Sequence, residues 1–261
     1  MSREIRLETE VPGTPEQVWE AIATGPGIAS WFVPAELAEG EGGEISFDFG
    51  EGFGKEGGVV TAWEPPHRFA YRGPEQGDGQ LAYEWLVEAR SGGTCVVRLV
   101  NSGFGEGEDW DAQYDGMSKG WTMFLDCLRL HVTHFAGRPC LPVRVHAMAA
   151  GDNAEVWAAL ADGLGLPADA APGDRVASAQ GAPRLAGAVE RFTGWGHVLR
   201  LEAPAPGYGF VAAEPSTHGN MISAYLYLYG LEPAAAERER AAWAAWFEGR
   251  YPAERASAGA A

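Results

Sequence analysis

Basic side chains are scarce in this chain. Lys and Arg number 19 against 36 Asp and Glu, a formal net charge of −17 over 261 residues. Binding to a phosphate backbone needs clustered Lys and Arg, so nucleic acid is not expected as a partner. An anionic membrane surface would be repelled for the same reason. No apolar run approaches the roughly 18 residues that a membrane span needs. Met1 leads directly into Arg3, Glu4 and Arg6 instead of the apolar stretch of a secretory leader. The expectation is a cytoplasmic protein with no membrane association.

Cysteine is equally sparse. Cys95, Cys127 and Cys140 are an odd number without metal-ligand spacing, which argues against a disulfide framework or a zinc site. Cys95 falls in an apolar strand pattern and Cys127 on a helix, so both read as buried thiols. Signatures of catalysis are missing as well: there is no Gly-x-Ser-x-Gly elbow and no phosphate-binding glycine loop. Gly50-Glu51-Gly52-Phe53-Gly54 is glycine-rich, but it lies among strands and lacks a following helix. No catalytic constellation, metal or cofactor is expected, and the balance leans against an enzyme.

What is present is an ordinary globular composition, 46% hydrophobic and 21% charged. Residues 1–139 carry 23 acidic and 10 basic side chains, residues 140–261 only 13 and 9. This excess favours solubility, the alternative being a basic protein partner for the acidic half. The chain also repeats itself. Ile5-Arg6-Leu7 recurs as Val143-Arg144-Val145, Val18-Trp19 as Val156-Trp157, and Gly25, Gly27 and Ile28 as Gly163, Gly165 and Leu166, all at one ungapped offset. Breakers between Gly137 and Pro142 mark a linker. The expected organisation is a domain over 1–138, a diverged copy over 139–253 and a flexible tail over 254–261.

Each copy opens with an alternating strand and a helix that carries the Val-Trp pair. In the first, short strands follow over 44–49, 58–64, 67–72, 81–89 and 94–101, with Gly92-Gly93 turning the last hairpin. A long helix from Tyr114 places Met117, Trp121, Phe124, Leu125, Leu128, Val132 and Phe135 on one stripe. The second copy keeps this order with less material, ending in a helix from about Ala234 to Gly249. The economical α+β packing wraps an antiparallel sheet around the last helix, twice in one chain.

The first 136 residues resemble bacterial homologues of the heat-shock-protein-90 ATPase activator family, within the START/SRPBCC helix-grip superfamily. The resemblance rests on PEQVWEAIATGPGIASWF (Pro15 to Phe32), GGVVTAWEPPHRFAYRG (Gly57 to Gly73), LVEARSGGTCVVRLVNSGFG (Leu86 to Gly105) and GMSKGWTMFLDCLRL (Gly116 to Leu130). Gly25-Pro26 departs from the family's more usual Asp-Pro. The second copy lacks the Pro-Pro turn and the Gly-Trp step, so its membership rests on the repeat. The resemblance implies a seven-stranded sheet gripping a long C-terminal helix, with an apolar cavity between them. Relatives include lipid, hormone and polyketide binders, aromatase/cyclases and co-chaperones.

Strand alternation selects an inward set. Ile45, Phe47 and Phe49, then Tyr83, Trp85 and Val87, then Cys95, Val97 and Leu99 face Met117, Trp121, Phe124 and Leu128 of the helix, with Trp31 and Phe32 at the mouth. The expected ligand-binding residues are Trp31, Phe32, Phe47, Phe49, Tyr83, Trp85, Val97, Leu99, Met117, Trp121, Phe124 and Leu128. A solid aromatic core is the alternative. Tyr225, Tyr227 and Tyr229 share one strand face and read as an exposed ladder, or else as the lining of a more polar cavity. The acidic cluster of Glu106, Glu108, Asp109, Asp111 and Asp115 reads as helix capping. His131 and His134 share a helix turn without a third ligand, and His197 and His218 read as turn residues.

The leading function is non-catalytic binding of a small apolar or aromatic molecule. One alternative is a chaperone-associated role with a protein partner, as the family name implies. Another is a cyclase, dehydratase or hydrolase, for which Tyr83, Asn101 and Cys95 are the available polar groups. The duplication suggests a fused pseudo-dimer, with the second copy as the non-binding half.

Overall fold

A computed structural model describes residues 3–50, 54–216 and 219–252. The chain divides into two units, Met1–Cys140 and Leu141–Ala261. The tail over 254–261, His218 and residues 51–53 of the glycine-rich stretch lie outside the described residues.

The first unit opens with β1 (Ile5–Pro12) and α1 (Pro15–Ile22). Thr14 starts the helix with a reciprocal cap: its hydroxyl accepts the Gln17 N–H, and the Gln17 side chain accepts the Thr14 N–H. Pro15 occupies the first turn, where its missing donor is not needed. A five-residue helix, α2 (Gly25–Ala29), follows under the Thr24 hydroxyl. A Cβ on Gly27 would stand 1.9 Å from the Glu20 carbonyl oxygen, so only glycine lets α2 fold back against α1.

The strands β2 (Ala35–Leu37), β3 (Glu44–Asp48), β4 (Lys55–Glu64), β5 (Arg68–Arg72), β6 (Ala82–Arg90) and β7 (Thr94–Ser102) precede the 27-residue helix α3 (Glu108–His134). Together with β1 they form one seven-stranded antiparallel sheet in the order β1-β7-β6-β5-β4-β3-β2. β2 was not expected, because three residues are too few to display a period, whereas the expected order left room for one helix or two at the position of α2. α3 starts at Glu108, within the acidic cluster expected at the start of the long helix. Its cap corrects the expectation. Gly107 is the N-cap and no side chain bonds the free N–H groups there. Glu108, Asp109 and Asp111 in the first turn favour the helix dipole without capping it. Asp111 also pairs with Arg3. The segment before the helix is held by Asp78, which accepts the Glu106 N–H at 2.9 Å and the Trp110 indole N–H at 3.0 Å.

The second unit repeats the plan with β8 (Leu141–Ala149), α4 (Asn153–Leu164), β9 (Arg175–Ala177), β10 (Ala186–Phe192), β11 (Gly196–Ala203), β12 (Gly207–Ser216), β13 (Gly219–Leu228) and the 18-residue α5 (Pro233–Arg250). Its six strands run β8-β13-β12-β11-β10-β9. Asp152 caps α4 by accepting the Ala154 and Glu155 N–H groups. Asn153 then ties the helix to the sheet, donating to the Ala213 carbonyl and to Asn220 Oδ1, both at 2.7 Å. Trp157, Leu160, Val211, Leu226, Trp243 and Phe247 belong to its buried core.

Two expectations for this unit are overturned. Tyr225, Tyr227 and Tyr229 are buried, not an exposed ladder. Their rings meet Phe210 at 5.0 Å and Tyr208 at 5.2 and 6.0 Å on the neighbouring strand, and most positions on both faces of β13 are buried. His197 is not a turn residue either: it is fully buried on β11, with Nε2 2.8 Å from the Pro167 carbonyl and its ring against Trp157.

Candidate functional site

The inner face of the first sheet carries an aromatic cluster whose order follows from strand parity. In β3 the buried positions are Ile45 and Phe47, and in β6 they are Tyr83, Trp85 and Val87. In β7 they are Cys95, Val97, Leu99 and Asn101. Cross-strand register sets Trp85 opposite Leu99, Val87 opposite Val97, and Tyr83 opposite Asn101. α3 supplies Trp121 and Phe124, and the segment after α2 supplies Trp31 and Phe32.

Phe32 is the hub. Its ring lies 5.0 Å from Trp121 in a stacked arrangement and 4.6 Å from Phe124 edge to face. It also meets Trp31 at 5.8 Å, Phe47 at 5.8 Å and Phe49 at 5.9 Å. Trp121 in turn reaches Tyr83 at 5.9 Å and Trp85 at 5.7 Å, and Trp85 closes the circuit to Trp31 at 5.4 Å. Centroid separations of 4.5–7 Å are those of favourable aromatic pairs, each contributing about 0.5–1.5 kcal/mol beyond burial. Eight of the twelve selected residues therefore form one ring-to-ring network. Val97, Leu99 and Leu128 are buried, and Met117 is half-buried one turn before Trp121.

Two members were missed. Tyr71 stacks on Tyr83 at 4.7 Å and 18° and meets Phe47 at 5.3 Å. The alternation of Phe69 and Tyr71 with arginines in β5 was the available signal. Glu56 stands opposite Phe47 on the same face. It was lost because β4 begins at Lys55, before the glycine pair from which the strand was drawn. Much of its surface is exposed, yet partial burial lifts its carboxyl above the ordinary value. Burial also raises the Tyr71 and Tyr83 hydroxyls, aided by the nearby Glu56 charge, so both stay protonated.

Polar groups inside the cluster fall into two sets. Trp31 donates its indole N–H to the Ala21 carbonyl at 2.8 Å, and the Asn101 amide donates to the Ala82 carbonyl at 3.2 Å. Trp121 Nε1 and Asn101 Oδ1, both buried, have no hydrogen-bond partner among the described residues. Cys95 donates weakly to the Gly13 carbonyl, and burial pushes its thiol up, which is the wrong direction for a nucleophile.

Two clefts of the first unit lie elsewhere. One of about 860 Å³ is bordered by Glu36, Ser46, Gly57, Val59 and Arg72, the other of about 630 Å³ by Glu16, Glu20, Ser30, His131 and Arg138. None of the twelve selected residues lines either one. Among the described residues no three His, Cys, Asp or Glu side chains gather as a metal site would require. No helix among them is long and apolar enough to cross a membrane.

Residues 12–133 match the family described as Activator of Hsp90 ATPase homolog 1-like protein. This is the family whose motifs the first unit resembles, and each of the two units is an α+β fold with one antiparallel sheet and a C-terminal helix. Similar solved structures include CalU16 from Micromonospora echinospora, 21% identical, covering 51% of this chain and 78% of that one with a TM-score of 0.42. The Aha1 dimer from Colwellia psychrerythraea is 19% identical over 51% of this chain and 97% of that one, TM-score 0.43. DynU16, from the dynemicin biosynthetic locus, is 20% identical over 93% and 95% of the two chains, TM-score 0.44. A comparison with curated proteins found no match.

Proposed function

We propose that the first unit is a binding module for a small, flat, apolar or aromatic molecule held between its sheet and α3. The observation that supports this is the continuous ring network of Trp31, Phe32, Phe47, Phe49, Tyr83, Trp85, Trp121 and Phe124, which reaches from strand to helix. Cofactor-free pockets for such ligands are built from apolar walls with a few polar groups. Phe32, the ring that touches five others, is the side chain whose displacement would let a ligand stack among the remaining rings. Indole fluorescence reports the event directly, because Trp31, Trp85 and Trp121 all border it. Saturable quenching by naphthalene-sized probes is the expected result. Its absence across a panel of such probes would remove this reading.

A chaperone-associated role is the second reading, favoured by the family match over residues 12–133. It predicts altered ATPase turnover of a heat-shock protein of the 90-kDa class when the chain is added. Unchanged turnover at saturating chain would rule it out.

A further inference from the structure

Buried hydrogen-bonding groups in folded proteins are almost always paired, so each exception calls for an explanation. Two buried indoles of the first unit have protein partners: Trp31 donates to the Ala21 carbonyl and Trp110 to Asp78. Trp121 Nε1, a donor, and Asn101 Oδ1, an acceptor, are left over, on residues 5% and 0% exposed. The Asn101 amide orientation is set by its bond to the Ala82 carbonyl, which leaves the oxygen as the orphan. The two orphans flank one ring. Asn101 is the direct cross-strand neighbour of Tyr83, and the Trp121 ring is 5.9 Å from that of Tyr83. Aromatic faces enclose them: Tyr83 stacks on Tyr71, and Trp121 stacks on Phe32.

We infer that the ligand carries one hydrogen-bond acceptor and one hydrogen-bond donor on an aromatic frame, its carbonyl meeting Trp121 Nε1 and its hydroxyl or N–H meeting Asn101 Oδ1. The inference rests on the binding reading above and adds its chemical class, a hydroxylated aryl carbonyl compound. The hydrophobic faces supply affinity, and the two polar atoms supply selection. A site built to bond a substrate hydroxyl discriminates against the analogue lacking it, because its own buried group is then stranded.

The test uses the full chain and four matched probes: ethylnaphthalene, acetylnaphthalene, naphthol and a hydroxy-acetylnaphthalene with its groups on opposite rings. Expected affinities rise in that order of polar complement, by about five- to tenfold for each satisfied group. Trp121→Phe is expected to erase the advantage of acetylnaphthalene over ethylnaphthalene while leaving that of naphthol. Asn101→Leu is expected to do the reverse. Reading ratios within each variant cancels any general loss of packing, and Trp121→Phe carries the test alone if Asn101→Leu does not fold. Equal binding of all four probes would overturn the inference yet leave the binding reading standing, with ordered water as the partner of both orphans. No binding by any probe, ethylnaphthalene included, would overturn both.

Discussion

His131 and Glu214 show how far single residues depart from their sequence neighbourhoods. His131 is 4% exposed, and burial lowers its pKa from 6.5 to about 4. Above pH 6.5 the imidazole is neutral in both the folded and unfolded chain and contributes nothing. As pH falls toward 4 the unfolded chain takes up a proton that the folded one refuses, so stability is lost, by at most about 3 kcal/mol. His131→Gln is expected to flatten this acid-side loss, measured as the urea midpoint at pH 7 and pH 4.5. Equal slopes in variant and parent would refute the assignment. Glu214 behaves oppositely. It accepts the Ser223 hydroxyl at 2.8 Å, and burial raises its carboxyl to about 7. The unfolded chain releases that proton from about pH 4.5 upward while the folded chain retains it, so stability falls as pH rises through this window. Glu214→Gln is expected to gain on the parent at pH 8 and not at pH 4. The residues of the aromatic cluster were legible from alternation alone, since Phe47, Tyr83, Trp85 and Leu99 obey period two. The burial of Tyr225, Tyr227 and Tyr229 was not, because strand parity assigns a side chain to a face without saying what covers that face.

At the scale of elements, the repeat offset was a sound guide to where structure begins. α1 starts at Pro15 and α4 at Asn153, the same positions in the two copies, each under a side-chain cap. Matching letters nevertheless hide different physics. Gly165 ends α4 in the left-handed conformation at φ 72°, whereas its counterpart Gly27 has no positive φ and is required by close approach to Glu20. Gly27→Ala must push α2 away from α1, and with it the Trp31-Phe32 segment that α2 delivers to the cluster. The expected cost is about 1–3 kcal/mol of stability, the usual range for overpacking. It should be accompanied by altered indole fluorescence. A variant as stable as the parent with an unchanged spectrum would show that the approach relaxes freely. The start of α3 was legible from its acidic first turn, although its apolar stripe becomes visible only once the helix meets the sheet.

For the whole molecule, fold and function were unequally legible. The α+β order and the duplication follow from hydrophobic periodicity and repeated motifs, which record how a chain buries its surface, and the seventh strand of the first sheet follows from the family resemblance. A ligand leaves no such periodic trace. The proposed binding rests instead on three dimensions, on the circuit of rings around Phe32 and on two buried polar atoms without a partner among the described residues. Native mass spectrometry of freshly purified protein, repeated after denaturation and after addition of the hydroxy-acetylnaphthalene probe, tests this most directly. The account predicts a one-to-one mass increment with the folded chain that disappears on denaturation and is weakened by Trp121→Phe. A folded chain that keeps its bare mass at saturating probe would contradict it and leave the rings as a closed core.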